Sequence, residues 1–306
     1  MTSNGDIDGQ RPLLSRAVPV GEAILVAAIW GSSFVGVKTA LEHAGPLTIA
    51  AVRYLVAGLL LLPWATRAAP AQRPSKGVWR RLVAIGLAQY AVGNGALFVA
   101  LTLVGPTAAS LAISLTPVPV CLLGIAFLRE WPNRVHLVGI ALAIGGSLLF
   151  FSAGLEAVPI AALGLLSLAT ISFSVMPILG RDIARRRAVS NCALTAYPLV
   201  IGGVVLSVVA GVVEGAPRLP LSTWGILLGL ALVNTLAAYS LFNHALHRLH
   251  ATEANVLLNL SPVATALIAW GAFGDRLTTL QIAAMAVVIV GASLAQWRRR
   301  TARRTT

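Results

Sequence analysis

The sequence is poor in charge and has only two cysteines. Of its 306 residues, 11% are charged and 57% are hydrophobic, whereas soluble domains have about 25% and 45–50%. This composition excludes a water-soluble enzyme. A disordered chain or a coiled coil needs more charge, collagen needs a strict glycine period, and a disulfide scaffold needs more cysteine. An integral membrane protein remains.

Several chemical signatures are also missing. The chain has no His-Glu-x-x-His sequence, no aspartate inside an apolar run and no phosphate-binding Walker A sequence. We therefore expect no enzyme activity, no cofactor and no direct use of ATP. The two cysteines, Cys121 and Cys192, are too few for a metal site. An intramembrane enzyme or a channel remains as the alternative function.

Long apolar runs predict an all-α membrane protein with ten transmembrane helices, since one crossing takes about 20 apolar residues. Residues 1–20 are predicted to form a disordered cytoplasmic tail, and residues 298–306 a basic cytoplasmic tail. The predicted spans lie near 22–41, 46–64, 80–101, 106–127, 134–152, 158–179, 190–212, 222–246, 251–273 and 278–297.

The basic residues predict the orientation. The formal net charge is +13, but the Lys and Arg residues lie in loops and tails and form no nucleic-acid-binding face. With both termini inside, 19 of them fall in inner segments, and the outer loops hold only Arg218 and Arg276. By the positive-inside rule, this predicts a multi-pass protein of the cell (plasma) membrane with both termini cytoplasmic.

The chain contains an internal repeat at an offset of 145 residues. Residues 100–150 and 245–295 align without a gap and are identical at 12 of 51 positions. This predicts a first repeat over 21–152 and a second over 153–297. Because five spans is an odd number, the two copies should lie in the membrane with opposite orientations. Such inverted repeats suit alternating access to a shared solute pocket.

Two motifs in the first spans carry a family resemblance. Span 1 contains residues 30–34 (WGSSF) followed by Lys38, and span 2 contains residues 53–57 (RYLVA). Together with the five-plus-five repeat, they resemble the EamA transporters of the drug/metabolite transporter superfamily. The resemblance implies a secondary transporter, as an exporter or permease, for amino acids, other small metabolites or drug-like solutes.

Two charged residues and one aromatic face lie within the first spans. Lys38 and Arg53 either line the outer half of a cavity and attract an anionic group, or extend to the membrane surface. Arg53 could also cap carbonyl groups of a neighbouring helix. Trp30, Phe34 and Lys38 recur every four residues, so they form either a wall of the solute path or a packing face.

Polar residues at matched positions complete the predicted site. Gln89 corresponds to Asn234, and Asn94 to Tyr239, near mid-membrane, where they either contact the solute or bond neighbouring helices. Spans 4 and 9 carry matched stripes of polar residues and prolines, in which Pro117 and Pro262 should kink the helices. The predicted solute-binding residues are Trp30, Phe34, Lys38, Arg53, Gln89, Asn94, Ser114, Asn234, Tyr239 and Asn259.

The expected partners are a small-molecule solute and membrane lipid. A stripe of small residues at Gly139, Ala143 and Gly146 predicts close approach of span 5 to a neighbouring helix. That neighbour is either another span of this chain or a second copy, so a homodimer is possible.

Overall fold

The computed structural model of the chain describes residues 11–67, 74–128, 132–152, 158–185, 188–217, 219–246 and 257–296. Regular structure in these ranges is helical. The helices in chain order are α1 (Arg11–Ala40), α2 (Pro46–Thr66), α3 (Lys76–Ile85, a π-helical turn Gly86–Gly93, and Asn94–Leu103), α4 (Pro106–Ile113 and Pro117–Leu128), α5 (Arg134–Ser152), α6 (Ile160–Phe173 and Val175–Arg185), α7 (Asn191–Val213), α8 (Leu221–Ala231, a π-helical turn Leu232–Ala237, and Ala238–Leu246), α9 (Ser261–Phe273) and α10 (Thr279–Gln296).

Each predicted span overlaps one of these helices. Among the described residues, α1 to α7 are at least 18 residues long and apolar enough to cross a bilayer. The remaining apolar stretches, Leu221–Ala237, Ser261–Phe273 and Thr279–Ala295, are shorter. Residues 251–256 of the predicted ninth span, residues 1–10 and the predicted C-terminal tail lie outside the described ranges. The protein is a multi-pass helical membrane protein.

Helix α1 starts earlier than its apolar run. It begins at Arg11, so the prediction that all of residues 1–20 form a disordered tail is wrong for residues 11–20. Pro12 falls in the first turn, where a missing N–H breaks no helical bond. Pro19 is buried inside the helix, next to a small cluster in which Val20 and Ala23 pack with Ala245. These contacts stabilise the helix past the proline.

Helices α2 and α7 pack in antiparallel directions through two glycines. A Cβ on Gly58 would lie 2.9 Å from the backbone N of Val200, and a Cβ on Gly203 would lie 2.7 Å from the backbone N of Leu55. Leu55 precedes Gly58 in α2, whereas its partner Gly203 follows Val200 in α7, so the two helices run in opposite directions. The 145-residue offset relates Gly58 to Gly203 and Leu55 to Val200, so it converts each contact into the other. Helices α2 and α7 are therefore equivalent helices of the two repeats.

A carboxylate joins the ends of the same helix pair. Glu214 follows α7, and its oxygens accept hydrogen bonds from the backbone N of Leu47 and of Thr48, both at 2.8 Å, and from the Thr48 hydroxyl at 2.6 Å. These N–H groups belong to the first turn of α2, where a helix has unpaired donors and a partial positive charge. Glu214 therefore caps α2 and fixes its register against α7.

The predicted small-residue stripe of α5 packs against α10. A Cβ on Gly139 would overlap the backbone N of Ala295, and a Cβ on Gly146 would lie 3.0 Å from the backbone N of Val288. A Cβ on Gly291 would in turn overlap the backbone N of Ala143. This pair is also antiparallel. Because α10 covers the stripe, the stripe is not free to form an interface with a second copy.

Helices α5 and α10, each the last helix of its repeat, begin with the same reciprocal cap. Asn133 Oδ1 accepts from the backbone N of His136 at 2.9 Å, and His136 Nδ1 accepts from the backbone N of Asn133 at 3.3 Å. At the equivalent positions, the Thr278 and Gln281 side chains make the same pair of bonds at 3.2 and 2.9 Å. Each cap satisfies two backbone donors at the start of a helix.

Candidate functional site

The two repeats surround a cavity of about 1090 Å³. This volume is at the upper end of the range for small-molecule sites. Helices from both repeats line it, and the lining combines aromatic rings, hydroxyls and amides. The lining residues include Trp30, Ser33, Phe34, Val37, Arg53, Tyr54, Gln89, Tyr90, Asn94, Leu101, Ser114, Thr116, Pro117, Cys121, Pro132, His136, Asn234, Thr235, Tyr239 and Asn259.

The cavity is closed at one end and reaches partly exposed residues at the other. Val37 and Leu101, near the C-termini of α1 and α3, line one end and have no exposed surface. Cys121, Pro132 and His136, around the connection between α4 and α5, line the other end and are partly exposed. The cavity is therefore open on the side of the α4–α5 connection in this conformation.

Nine of the ten predicted solute-binding residues line the cavity. The exception is Lys38, whose ammonium group donates to the carbonyls of Leu101 at 2.7 Å and Val104 at 3.4 Å. These carbonyls lie at the C-terminal end of α3, where a helix has unpaired acceptors and attracts a cation. The placement of Lys38 thus favours a helix-capping role over solute binding. Pro117 lines the cavity as well, whereas Pro262 lies outside the lining.

Arg53 is the charged residue in the middle of the cavity wall. Its side chain is 6% exposed, and its guanidinium donates to Ser33 Oγ at 2.5 Å and to Thr235 Oγ1 at 3.2 Å. The Arg53 Cζ atom also lies 5.3 Å from the centre of the Tyr54 ring. These contacts hold the guanidinium between α1, α2 and α8 at the cavity surface.

A hydrogen-bond chain fixes the α3 wall of the cavity. The Tyr54 hydroxyl donates to Asn94 Oδ1 at 2.6 Å, and Asn94 Nδ2 donates to the Gln89 carbonyl at 2.8 Å. Gln89 lies in the π-helical turn Gly86–Gly93. In this turn the backbone carbonyls do not follow the regular α-helical pattern of bonding the N–H four residues later. The Gln89 side chain makes no hydrogen bond within the described part of the chain and lines the cavity. Its amide is therefore available to a solute.

The second repeat has its own π-helical turn at the matching place in α8. Asn234 in this turn donates through Nδ2 to the Ile29 carbonyl and to Ser32 Oγ, the latter at 3.0 Å. The Trp30 ring packs edge-on against Tyr239, with centroids 5.6 Å apart. Asn234 and Tyr239 thus join α8 to α1 along the wall. π-Helical turns are rare and occur frequently at functional sites.

The predicted kink in α4 is an interruption of the helix. α4 stops at Ile113 and resumes at Pro117. The Ile113 carbonyl, which Pro117 cannot bond, instead accepts from the Thr116 hydroxyl at 2.6 Å. In the second repeat, Asn259 lies in a turn just before α9, and Pro262 occupies the first turn of that helix. Asn259 Nδ2 donates to Ser293 Oγ at 3.2 Å. Interrupted helices at membrane depth are tolerated beside cavities.

Several polar residues of the wall are not among the predicted site residues, including Ser33, Tyr54, Tyr90 and Thr235. Ser33 and Tyr54 stand inside the two motifs that carried the family resemblance, and Thr235 follows Asn234 directly. Tyr90 faces Tyr239 across the cavity, with 3.5 Å between the two hydroxyl oxygens. Ser33 lies three residues after Trp30 in α1, so helical spacing places it on the same face and could have indicated it.

The lining contains no aspartate or glutamate among the described residues. Within the same part of the chain, no three His, Cys, Asp or Glu side chains come together as a metal site would require. Among the described lining residues, the available groups are the Arg53 guanidinium, the His136 imidazole, the Cys121 thiol, hydroxyls, amides and aromatic faces. These groups suit reversible binding of an organic solute.

A multi-pass helical protein with a deep cavity of this chemistry belongs to the class of membrane transport proteins. A family model described as the EamA-like transporter family matches the chain twice, over residues 20–152 and 160–296. The chain belongs to the EamA-like transporter family. The two matches agree with the two predicted repeats.

Several relatives are named as transporters. The chain is 27% identical over 280 residues to a probable amino-acid metabolite efflux pump of Salmonella typhimurium, covering 88% of this chain and 91% of that protein. It is 27% identical to the uncharacterised inner membrane transporter YedA of Escherichia coli K12, covering 88% and 87%. A crystal structure superposes with a TM-score of 0.66 at 18% identity, covering 92% of this chain and 96% of the other. That likeness shows the fold alone.

Proposed function

We propose that the protein is a ten-span secondary transporter that carries a small organic solute by alternating access. The observation that carries this proposal is the antiparallel packing of the equivalent helices α2 with α7 and α5 with α10, in a fold whose two repeats both line one cavity. Two helices that correspond in the repeats but run in opposite directions support an inverted arrangement of the halves. Exchange of the two halves' conformations would then close the open end and open the closed end.

The orientation follows from combining the cavity with the distribution of charge. The open end lies at the α4–α5 connection, which is on the arginine-rich side of the predicted topology. The structure would therefore represent an inward-open state in the cell membrane, with both termini in the cytoplasm. Cargo would enter this state from the cytoplasm, as export requires.

The cavity wall supports a solute of the size of an amino acid or a related metabolite. The names of relatives such as the Salmonella efflux pump favour export of amino-acid-derived solutes. In this proposal Trp30, Phe34 and Tyr239 provide an aromatic wall, while Arg53 and Gln89 contact polar groups of the solute. Asn94, Ser114, Asn234 and Asn259 shape the remaining wall. Membrane lipid surrounds the bundle, and a homodimer would have to use a surface other than the α5 stripe.

Counterflow in liposomes tests the function. Purified protein is reconstituted in vesicles preloaded with unlabelled amino acids, purines or cationic drugs, and entry of the same labelled compound is followed. An alternating-access carrier is expected to accumulate label transiently for at least one class, because internal unlabelled solute competes for the return step. Label that only equilibrates, with no transient excess, would identify a channel. Conversion of a compound into a new product would identify an enzyme.

A further inference from the structure

Arg53 brings a positive charge into the wall of the cavity without a carboxylate partner. Its two hydrogen bonds go to neutral hydroxyl oxygens, on Ser33 and Thr235. No ion pair involves it within the described residues, and no acidic side chain lines the cavity there. A guanidinium has five N–H donors, so most of them remain for another partner.

Such an arrangement is costly for the empty protein. Removing a cation from water costs several kcal/mol unless an opposite charge and further hydrogen bonds compensate. Charged groups at membrane depth are accordingly paired or placed on a functional pathway. Arg53 lies seven residues after Pro46, the first residue of α2, which is about 10 Å along the helix. A flexible side chain that reached the membrane surface would be exposed, whereas Arg53 is 6% exposed.

The equivalent helix of the second repeat is built without this arginine. The contacts of Gly58 with Val200 and of Gly203 with Leu55 relate α2 to α7 by an offset of 145 residues. The same offset relates Arg53 to Pro198, which is buried inside α7. The second repeat therefore builds the equivalent helix without a charge. Arg53 is an asymmetric addition to an otherwise matched pair of helices.

We propose that Arg53, held by Ser33 and Thr235, is the binding group for a single carboxylate on the transported solute, so that the cargo is an organic monoanion or a zwitterion. This inference rests on the proposed transport function and defines its substrate class. A planar carboxylate can accept two parallel hydrogen bonds from a guanidinium. One arginine balances one negative charge, which favours a carboxylate over a dianionic phosphate. The Tyr54, Trp30 and Tyr239 rings then face the apolar body of the solute.

Four compounds with one aromatic body and different charges test the substrate class. N-acetylphenylalanine is an anion, phenylalanine a zwitterion, N-acetylphenylalaninamide neutral and phenylalaninamide a cation. Equilibrium binding to the purified protein in detergent is measured for each by calorimetry. We expect the two carboxylates to bind at least about tenfold more tightly than their amides, since a hydrogen bond to a charged group contributes at least that factor.

The arginine variants then assign the preference to one residue. Arg53→Met is expected to remove the advantage of the carboxylates over the amides. Arg67→Met is the matched control, because Arg67 is an exposed cation at the other end of the same helix. In the unliganded protein, Arg53→Met should leave the melting temperature unchanged or raise it, whereas a purely structural arginine would lower it when replaced.

Three results would overturn the proposal: equal binding of acids and amides, no binding of either acid, or an unchanged preference in Arg53→Met. Because binding in detergent requires no transport, these results are separate from the counterflow test. Failed counterflow with intact carboxylate binding would contradict the transport function. Counterflow of a carboxylate solute that is as fast in Arg53→Met as in the parent would contradict only the monoanion subsite.

Discussion

Gly139→Val is expected to destabilise the protein by about 3 kcal/mol or more, because overpacking a close contact costs 1–3 kcal/mol even when side chains can adjust. Here the added Cβ would overlap the backbone N of Ala295, which cannot rotate away. The α5 and α10 helices would have to separate along the whole stripe. Gly291→Val, at the reciprocal contact with Ala143, should have an effect of the same size.

The matched control lies on the same helix. A Cβ on Gly145 has no atom within 4 Å. Gly145→Val therefore makes the same change of residue type and helix propensity as Gly139→Val, but it creates no close contact. Thermal unfolding in detergent compares the three variants with the parent protein. Gly145→Val should remain near the parent, and Gly139→Val and Gly291→Val should unfold at clearly lower temperature. Equal midpoints for all three would show that α5 and α10 are not packed in this register.

Asn234→Ala and Gln89→Ala are expected to reduce the initial rate of transport by a factor of about 2–10, because each removes a neutral polar contact at the cavity wall that contributes about 0.5–1.5 kcal/mol. The two changes act differently. Asn234→Ala removes the donor to the Ile29 carbonyl and Ser32 Oγ, so α8 loses a link to α1. Gln89→Ala removes an amide with no bond inside the described part of the chain. Its effect should therefore appear in solute affinity with no loss of stability.

Initial rates and thermal midpoints of reconstituted variants separate these effects. Thr102→Val on α3 is the control, because the exposed Thr102 hydroxyl bonds only the Val99 carbonyl, away from the cavity. It should transport like the parent protein. Unchanged flux in both cavity variants, with normal membrane insertion, would contradict the placement of the solute site between the two π-helical turns.

The sequence predicts the helices and much of the site because the bilayer limits what each segment can do. Apolar runs must cross as helices, and polar residues inside them must face something other than lipid. This reasoning selected Arg53, Gln89 and Asn234, which all line the cavity. The 145-residue offset in the sequence relates Gln89 to Asn234, and the two π-helical turns contain those residues.

What the sequence could not predict depends on contacts between distant segments. Lys38 continues the face of Trp30 and Phe34, but its ammonium group bends to the carbonyls that end α3. Nothing in the local sequence specifies that neighbour. The small-residue stripe at Gly139 predicted a close contact without its partner, which is α10. The continuation of α1 through Pro19 likewise depends on the packing of Val20 and Ala23 with Ala245.

The inverted arrangement is tested most directly by measuring from which side of the membrane two equivalent positions can be labelled. Cys121 in α4 lines the open part of the cavity, and the 145-residue offset relates it to Ala266 in α9. Ala266 is packed against the cluster that contains Phe150 and Val288. Each position lies seven residues before the last residue of its helical segment, which is Leu128 in α4 and Phe273 in α9. In inverted halves, these two ends lie on opposite sides of the membrane.

The measurement uses a membrane-impermeant maleimide on inside-out and right-side-out vesicles. One protein retains only Cys121 and carries Cys192→Ser; the other carries Ala266→Cys in a background without native cysteines. The account predicts that Cys121 reacts in inside-out vesicles, and that Ala266→Cys reacts in right-side-out vesicles, faster when transported solute is present. Labelling of both positions from the same side would contradict the inverted repeat and, with it, alternating access through this cavity.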